Sequence, residues 1–326
     1  MSHTRRDLLK IGAIGAGSII LHPMAQTPRC PAATAKIPPH LTGYEDEYKK
    51  DPRAAALKWF RDAKFGLFVH YGMLSPIPGG KRAVLAGKAT LDGILEKFAA
   101  EKFDADLIAD LAIEAGMKYL NFTPLHHGGL HLYRTKNGKP NIMDTPAHRD
   151  LVAELAEACR KRKLGFFLYV YHSIQETRPS KIKRNHAILR EYLTQYGPLA
   201  GLWFDSIHVY YRRPELFPRL SETYAMIREL QPHCLISFKH GATGEEDFLA
   251  PEHKPYPPAE NKHLPEDVRR KLAGKPVEIC TTLQVDPKTG SGAVMWFNNE
   301  NARHRTADEV MKLLADCESR GHNLLL

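Results

Sequence analysis

From about Asp51 onward, short apolar runs alternate with longer stretches whose apolar positions recur at helical spacing. The runs are Phe65 to His70, Tyr119 to Thr123, Gly165 to Tyr171, Leu199 to Asp205 and Leu235 to Phe238, followed by Val277 to Leu283 and Asn323 to Leu326. They are rich in aromatic, β-branched and Leu residues over four to eight positions, the composition of strands buried on both faces. Between them, Asp104 to Glu114 carries Leu107, Ile108, Leu111 and Ala112 at helical spacing, and Asp150 to Arg162 carries Leu151, Leu155, Ala158 and Cys159. Both read as amphipathic helices. Thr306 and Glu309 form a capping box at the start of a last helix, over 306–319. Repeated strand-then-helix order predicts a parallel sheet with right-handed crossovers. Seven or eight such strands, with no G-x-G-x-x-G opening a helix, fit a (β/α)8 TIM-like barrel better than an open doubly wound sheet.

The beginning of the chain follows a different pattern. Arg5-Arg6-Asp7-Leu8-Leu9-Lys10 precedes an uncharged apolar stretch from Ile11 to Leu21, and Ala33-Thr34-Ala35 offers a small-residue cleavage site. This is the layout of a twin-arginine export signal, and the apolar run is shorter than the roughly 20 residues a membrane-spanning helix needs. Residues 1–35 are therefore expected to be a signal, 36–50 a linker and 51–326 the barrel. A periplasmic or secreted protein follows, with no integral membrane segment after signal removal.

Composition narrows the picture further. The chain has 326 residues, 43% hydrophobic and 25% charged, which excludes disordered and collagen-like classes. The net charge of +9 falls to +6 when the signal takes away four cations and one anion, and the excess is dispersed. Nucleic acid is thus not an expected partner. Cys159, Cys234, Cys280 and Cys317 show no C-x-x-C spacing and sit among apolar neighbours, so buried free thiols are expected, with no structural zinc site.

The active site of a parallel barrel lies where its strands end, and here the ends are polar. They read His70-Tyr71-Gly72, His126-His127-Gly128-Gly129, Tyr171-His172-Ser173, Asp205-Ser206 and Lys239-His240-Gly241. Packing alone does not explain five successive polar ends, because an unpaired buried polar group costs several kcal/mol (about 2–7). Three functions use such a ring: a metal site on His70, His126, His127 and Asp205, a binding protein without catalysis, and glycoside hydrolysis by a pair of carboxylates. Neighbouring strand residues point to opposite faces and H-E-x-x-H is missing, which disfavours the metal.

The strand ends resemble those of the α-L-fucosidases of glycoside hydrolase family 29. Trp59-Phe60 with Lys64-Phe65-Gly66-Leu67-Phe68-Val69-His70-Tyr71-Gly72 is similar to W-F-x-x-x-K-F-G-I-F-I-H-W-G, and Ala115-Gly116-Met117-Lys118-Tyr119 leads to His126-His127-Gly128-Gly129 as in A-G-A-K-Y…K-H-H-D-G-F. Asp144-Thr145-Pro146, Arg149-Asp150-Leu151-Val152, Tyr196-Gly197-Pro198 and Leu202-Trp203-Phe204-Asp205 follow in family order. The resemblance implies a retaining exo-hydrolase of terminal α-L-fucose, acting on a fucosylated oligosaccharide or glycoconjugate without a cofactor. Asp205 would be its nucleophile, and His70, Tyr71, His126, His127, Tyr171, Trp203 and Lys239 its sugar-binding residues. Glu252, in a Pro-Glu like that of D-Y-x-x-P-E, is the first choice for acid/base. Glu278, placed as in W-E-T-C-M-T, is the second.

Departures from the family motifs are Gly128 in place of Asp, Tyr71 in place of Trp, Lys239 where Arg is frequent, and no G-E-W-Y between Pro78 and Leu91. They keep open a non-catalytic sugar-binding relative, or a glycosidase with another sugar specificity. The sequence read to Leu326 leads to an expected barrel without the family's C-terminal β-sandwich, and incomplete at its C-terminal end.

Overall fold

The computed structural model describes residues 36–75, 87, 90–126, 128–171, 179–206, 217–253, 264–290, 296 and 302–326. The expected signal, His127, His172 and Ser173 lie outside the described residues.

Regular structure begins before Asp51. A 3-10 turn at Pro39–Leu41 is followed by helix α1 (Glu45–Lys50) and helix α2 (Pro52–Ala63). Leu41 is fully buried in the cluster that contains Trp59 and Phe60 of α2, so the segment expected to be a linker packs beneath the barrel. The Asp51 carboxylate accepts the Arg53 and Ala54 amides at 2.9 and 3.0 Å and starts α2, with Pro52 in the first turn where no amide is missed.

Strand β1 (Phe65–Val69) then leads through α3 (Leu91–Leu95) and α4 (Ala105–Glu114) to β2 (Tyr119–Phe122). Helix α5 (Leu151–Lys161), β3 (Gly165–Val170), α6 (Pro179–Gln195), β4 (Gly201–Phe204), α7 (Phe217–Leu230) and β5 (Leu235–Phe238) continue the alternation. Helix α8 (Glu266–Leu272), β6 (Glu278–Cys280), a short antiparallel pair β7 (Gln284–Val285) and β8 (Arg303–His304), α9 (Ala307–Ser319) and β9 (Asn323–Leu325) complete it. The Thr306 and Glu309 side chains form the reciprocal capping box at the start of α9.

Seven strands form one parallel sheet in the order β5-β4-β3-β2-β1-β9-β6. An eighth stave closes it. Between β5 and β6, Phe248 bridges Ser237, Leu249 bridges Val277 and Glu252 bridges Cys280, all in parallel sense. The Ala250 amide donates to the Lys239 carbonyl at 2.7 Å, and the Glu278 amide to the Leu249 carbonyl at 2.8 Å. β9 pairs with both β1 and β6, and the Leu326 amide donates to the Gly66 carbonyl at 3.0 Å. The fold is a (β/α)8 barrel, and no C-terminal sandwich is present among the described residues.

Strand parity divides the core in two. Leu120, Phe122, Phe166, Leu168, Leu202, Ile236 and Ile279 face the helices, whereas Tyr119, Phe167, Tyr169, Trp203, Phe248, Ala250, Cys280 and Leu325 fill the barrel. Glycines make room for the inner aromatics: a Cβ on Gly201 would lie 2.3 Å from the Phe167 ring, and one on Gly165 2.3 Å from the Trp59 ring. On α4 the buried face is Ala105, Ala109 and Ala112; of the stripe expected from the sequence, Ala112 is buried and Ile108 packs against the core, while Leu107 and Leu111 are exposed. The four described cysteines are buried free thiols, as expected.

Candidate active site

The same parity carries the inner residues up to the mouth. Phe68 leads to His70, Tyr169 to Tyr171, Trp203 to Asp205, Ser237 to Lys239, and Ala250 to Glu252. Polar groups thus converge without any long loop having to place them.

Lys239 lies at the centre. Its side chain is 8% exposed, and its ammonium contacts Asp205 Oδ1 at 3.0 Å and Glu252 Oε1. It also sits 4.4 Å from the centroid of the Trp203 ring, within cation–π range. Burial alone would lower the pKa of this ammonium, but Asp205 and Glu252 reverse the shift and hold it charged. Asp205 receives further hydrogen bonds from the Tyr169 hydroxyl at 2.6 Å and the Ser206 amide at 2.6 Å. Burial pushes its carboxyl upward, yet Lys239 and these donors outweigh it and bring the pKa down to about 2. Asp205 is an ionised carboxylate at the barrel mouth.

Glu252 is the more open of the two, its side chain 40% exposed against 25% for Asp205. Beside it, His253 pairs through Nδ1 with Thr281 Oγ1 at 3.0 Å. Ser206, Lys239 and His253 all have positive φ, at 65°, 47° and 59°. Three non-glycine residues held in the left-handed region around one pair of carboxylates match the clustering of backbone strain at functional sites.

An aromatic wall completes the cup. Tyr169 stacks on Trp203 at 5.8 Å, His126 lies 5.2 Å from Tyr169 and 5.5 Å from Tyr171, and His70 lies 5.3 Å from His126 and 4.8 Å from Trp296. His70, His126, Tyr171, Trp203, Asp205, Lys239 and Glu252 therefore gather as the sequence suggests. Tyr71 and Glu278 do not. Tyr71 follows the inward-facing His70, so parity turns it outward, where it packs 5.0 Å from Phe103. Glu278 is 1% exposed in the barrel interior, where Oε2 accepts the Tyr119 hydroxyl at 2.7 Å and Oε1 the Trp203 Nε1–H at 2.9 Å. Burial raises its pKa to about 7, the two donors opposing the shift.

Sequence reasoning missed Tyr169, His253 and Trp296. Tyr169 was detectable as the residue two before Tyr171, on the same strand face. His253 borders Glu252, and Trp296 is one of only three tryptophans, set in the apolar run 293–297 behind Gly290-Ser291-Gly292. Neither signal gives a spatial partner.

Residues 32–326 match the family described as alpha-L-fucosidase. The chain belongs to the alpha-L-fucosidase family. It is 34% identical over 140 residues to the tissue alpha-L-fucosidase of Rattus norvegicus, covering 36% of this chain and 30% of that protein. To the plasma alpha-L-fucosidase of the same organism it is 31% identical over 235 residues, covering 64% and 46%. The matched part thus spans less than half the length of these relatives. The barrel superposes on alpha-L-fucosidase isoenzyme 1 of Paenibacillus thiaminolyticus with a TM-score of 0.64 at 25% identity, covering 84% of this chain and 70% of that one. For alpha-L-fucosidase AlfC of Lactobacillus casei, solved with its α-L-fucose product, the TM-score is 0.62 at 24% identity, covering 83% and 90%, a likeness of fold.

Proposed function

We propose that the protein is a retaining exo-α-L-fucosidase acting on fucosylated oligosaccharides or glycoconjugates, with Asp205 as nucleophile and Glu252 as acid/base. The observation that carries this reading is the single Lys239 ammonium in contact with both carboxylates. Two hydrogen bonds through one nitrogen leave the nearest carboxylate oxygens no more than about 6 Å apart. That is compatible with a retaining pair, whose carboxyl groups stand roughly 5–5.5 Å apart. Family membership supports the sugar, as does the AlfC mutant solved with Fucα(1,6)GlcNAc.

In the first step an Asp205 oxygen bonds to the anomeric carbon as the glycosidic bond breaks, and Glu252 gives its proton to the departing oxygen. The step requires Glu252 to act as the acid when the sugar is bound. In the second step Glu252 removes a proton from water, the water oxygen bonds to the anomeric carbon, and Asp205 leaves. His70, His126 and Tyr171 supply hydrogen-bonding groups for the hydroxyls, and Trp296 supplies an aromatic face for the apolar side of the ring, whereas Trp203, buried between Lys239 and Tyr169, backs the carboxylates from below.

Turnover of an aryl α-L-fucoside, lowered by at least about 10³-fold in Asp205→Asn, is the expected result. A 2-fluoro-fucosyl fluoride should label Asp205, and azide should rescue Glu252→Ala on an activated substrate. No turnover and no labelling by the wild type would leave the non-catalytic sugar-binding reading in its place.

We further propose that residues 1–35 direct twin-arginine export, on the strength of Arg5-Arg6 and the apolar run behind them. Replacing both arginines by lysine should keep the full-length chain in the cytoplasm. Unchanged export of that variant would refute the assignment.

A further inference from the structure

Glu278 is buried in the barrel interior and has a donor on each carboxyl oxygen, Tyr119 from β2 and Trp203 from β4. Nothing in this geometry lets it reach a leaving-group oxygen at the mouth. It nevertheless touches the reaction apparatus at one remove. Trp203 meets Glu278 at its ring edge and Lys239 at its ring face, and Tyr169, stacked on the same indole, donates to Asp205.

We infer that Glu278 is a positioning residue whose proton sets how Trp203 is held, and through Trp203 how Lys239 bridges Asp205 and Glu252. The inference rests on the proposed fucosidase reaction and adds to it a second, hidden ionisation.

A neutral and an ionised Glu278 ask different things of their neighbours. Trp203 Nε1–H can only donate, so its bond to Oε1 persists in both forms. The Tyr119 hydroxyl can donate to a carboxylate or accept from a carboxylic acid, so this bond reverses with the proton. With the carboxylate, negative charge lies against the indole N–H and enriches the ring face that Lys239 covers, which strengthens the cation–π contact. With the acid, that pull is lost and Lys239 is held by the two mouth carboxylates alone.

Other titratable groups near Glu278 are Tyr119 itself, Cys280 on β6, Cys317 on α9 beside Tyr119, and the mouth cluster of Lys239, Asp205 and Glu252. Burial drives the tyrosine and both thiols upward, and Asp205 stays ionised down to about 2. Among these shifted groups Glu278 is the one placed at about 7.

Glu278→Gln tests the inference, because Gln keeps the shape of the neutral acid: its carbonyl accepts from Trp203 and its amide donates to the Tyr119 oxygen. The first readout needs no substrate. The Trp203 indole N–H resonance, assigned as the peak missing from Trp203→Phe, should titrate near pH 7 in the wild type and not in Glu278→Gln. In Tyr119→Phe, which removes a donor to the carboxylate, the inflection should move to higher pH. The second readout is kcat on an aryl α-L-fucoside. The wild type should show plateaus that differ by about threefold or more across the same inflection, and Glu278→Gln a flat profile there. KM should change by less than about twofold, since Glu278 touches no substrate.

A Trp203 resonance that does not titrate, or that titrates identically in Glu278→Gln, overturns the inference. So does an unchanged kcat inflection in Glu278→Gln, which would reduce Glu278 to a purely structural group. If no fucoside is turned over at all, the proposed activity fails instead, and the resonance still decides whether the Glu278 proton reaches the indole.

Discussion

Lys239 does the most with the least freedom, because one ammonium serves two carboxylates and an indole face. Removing it as Lys239→Met leaves Asp205 buried with Tyr169 and Ser206 as its donors among the described residues, so its pKa must rise from about 2. The acid limb of kcat/KM should then move to higher pH and the plateau fall by about tenfold or more, with Lys239→Arg recovering part of both. A pH profile of the two variants checks this, and an unmoved limb in Lys239→Met would contradict the charge balance described above. Folding carries the same sign. The depressed Asp205 pKa stabilises the native state above the ordinary carboxylate range, and that stability is lost as pH falls toward 2. Single residues were legible where a motif and a parity agreed, as at His70 and Asp205. They were illegible where burial decided. Glu246 stands between the charged neighbours Glu245 and Asp247, yet it is fully buried and its carboxylate accepts the Ala242, Thr243 and Gly244 amides. An acidic residue that caps a turn from inside has no sequence pattern of its own.

At the level of elements, apolar runs located the seven strands of the parallel sheet, because a strand buried on both faces must be apolar throughout, but not the short polar pair β7 and β8. The runs could not say which residues fill the barrel. That followed only from pairing, which put Trp203 and Tyr169 inside and Leu202 and Leu168 outside. Asp247 to Ala250 has the apolar character of a strand, but its neighbours on the sheet became known only from its bridges to β5 and β6. Helix α4 shows the converse failure. Its Leu residues marked a stripe, but close approach to the barrel favours Ala105, Ala109 and Ala112, small enough to let the helix backbone near the sheet, and leaves Leu107 and Leu111 exposed.

The whole molecule depends on its underside as well as its mouth. His40, from the segment expected to be a linker, lies edge-on to Trp59 at 4.7 Å and 6.3 Å from His233, and its Nε2 is buried without a hydrogen-bond partner among the described residues. Burial, with His233 as a second cause, lowers the His40 pKa to about 3, and burial lowers that of His233 to about 4. Both are neutral in the fold, while the unfolded chain takes up protons below the ordinary histidine value of about 6.5. Stability is therefore complete above that value and falls as pH drops toward 4, by at most on the order of 3 kcal/mol per histidine. Urea unfolding measured against pH should show this slope, and His40→Phe should flatten it. An equal slope in the variant would place the acid sensitivity elsewhere. By itself the sequence determined the barrel class, the family and the identity of most mouth residues, because strand burial and strand-end chemistry are local patterns. Only the tertiary structure decided that Ile37 to Leu41 pack beneath the barrel, that Glu252 rather than Glu278 shares Lys239 with Asp205, and that Tyr71 faces away. Those outcomes depend on which surfaces meet when eight staves close on one another, and closure is a property of the whole ring rather than of any segment in it.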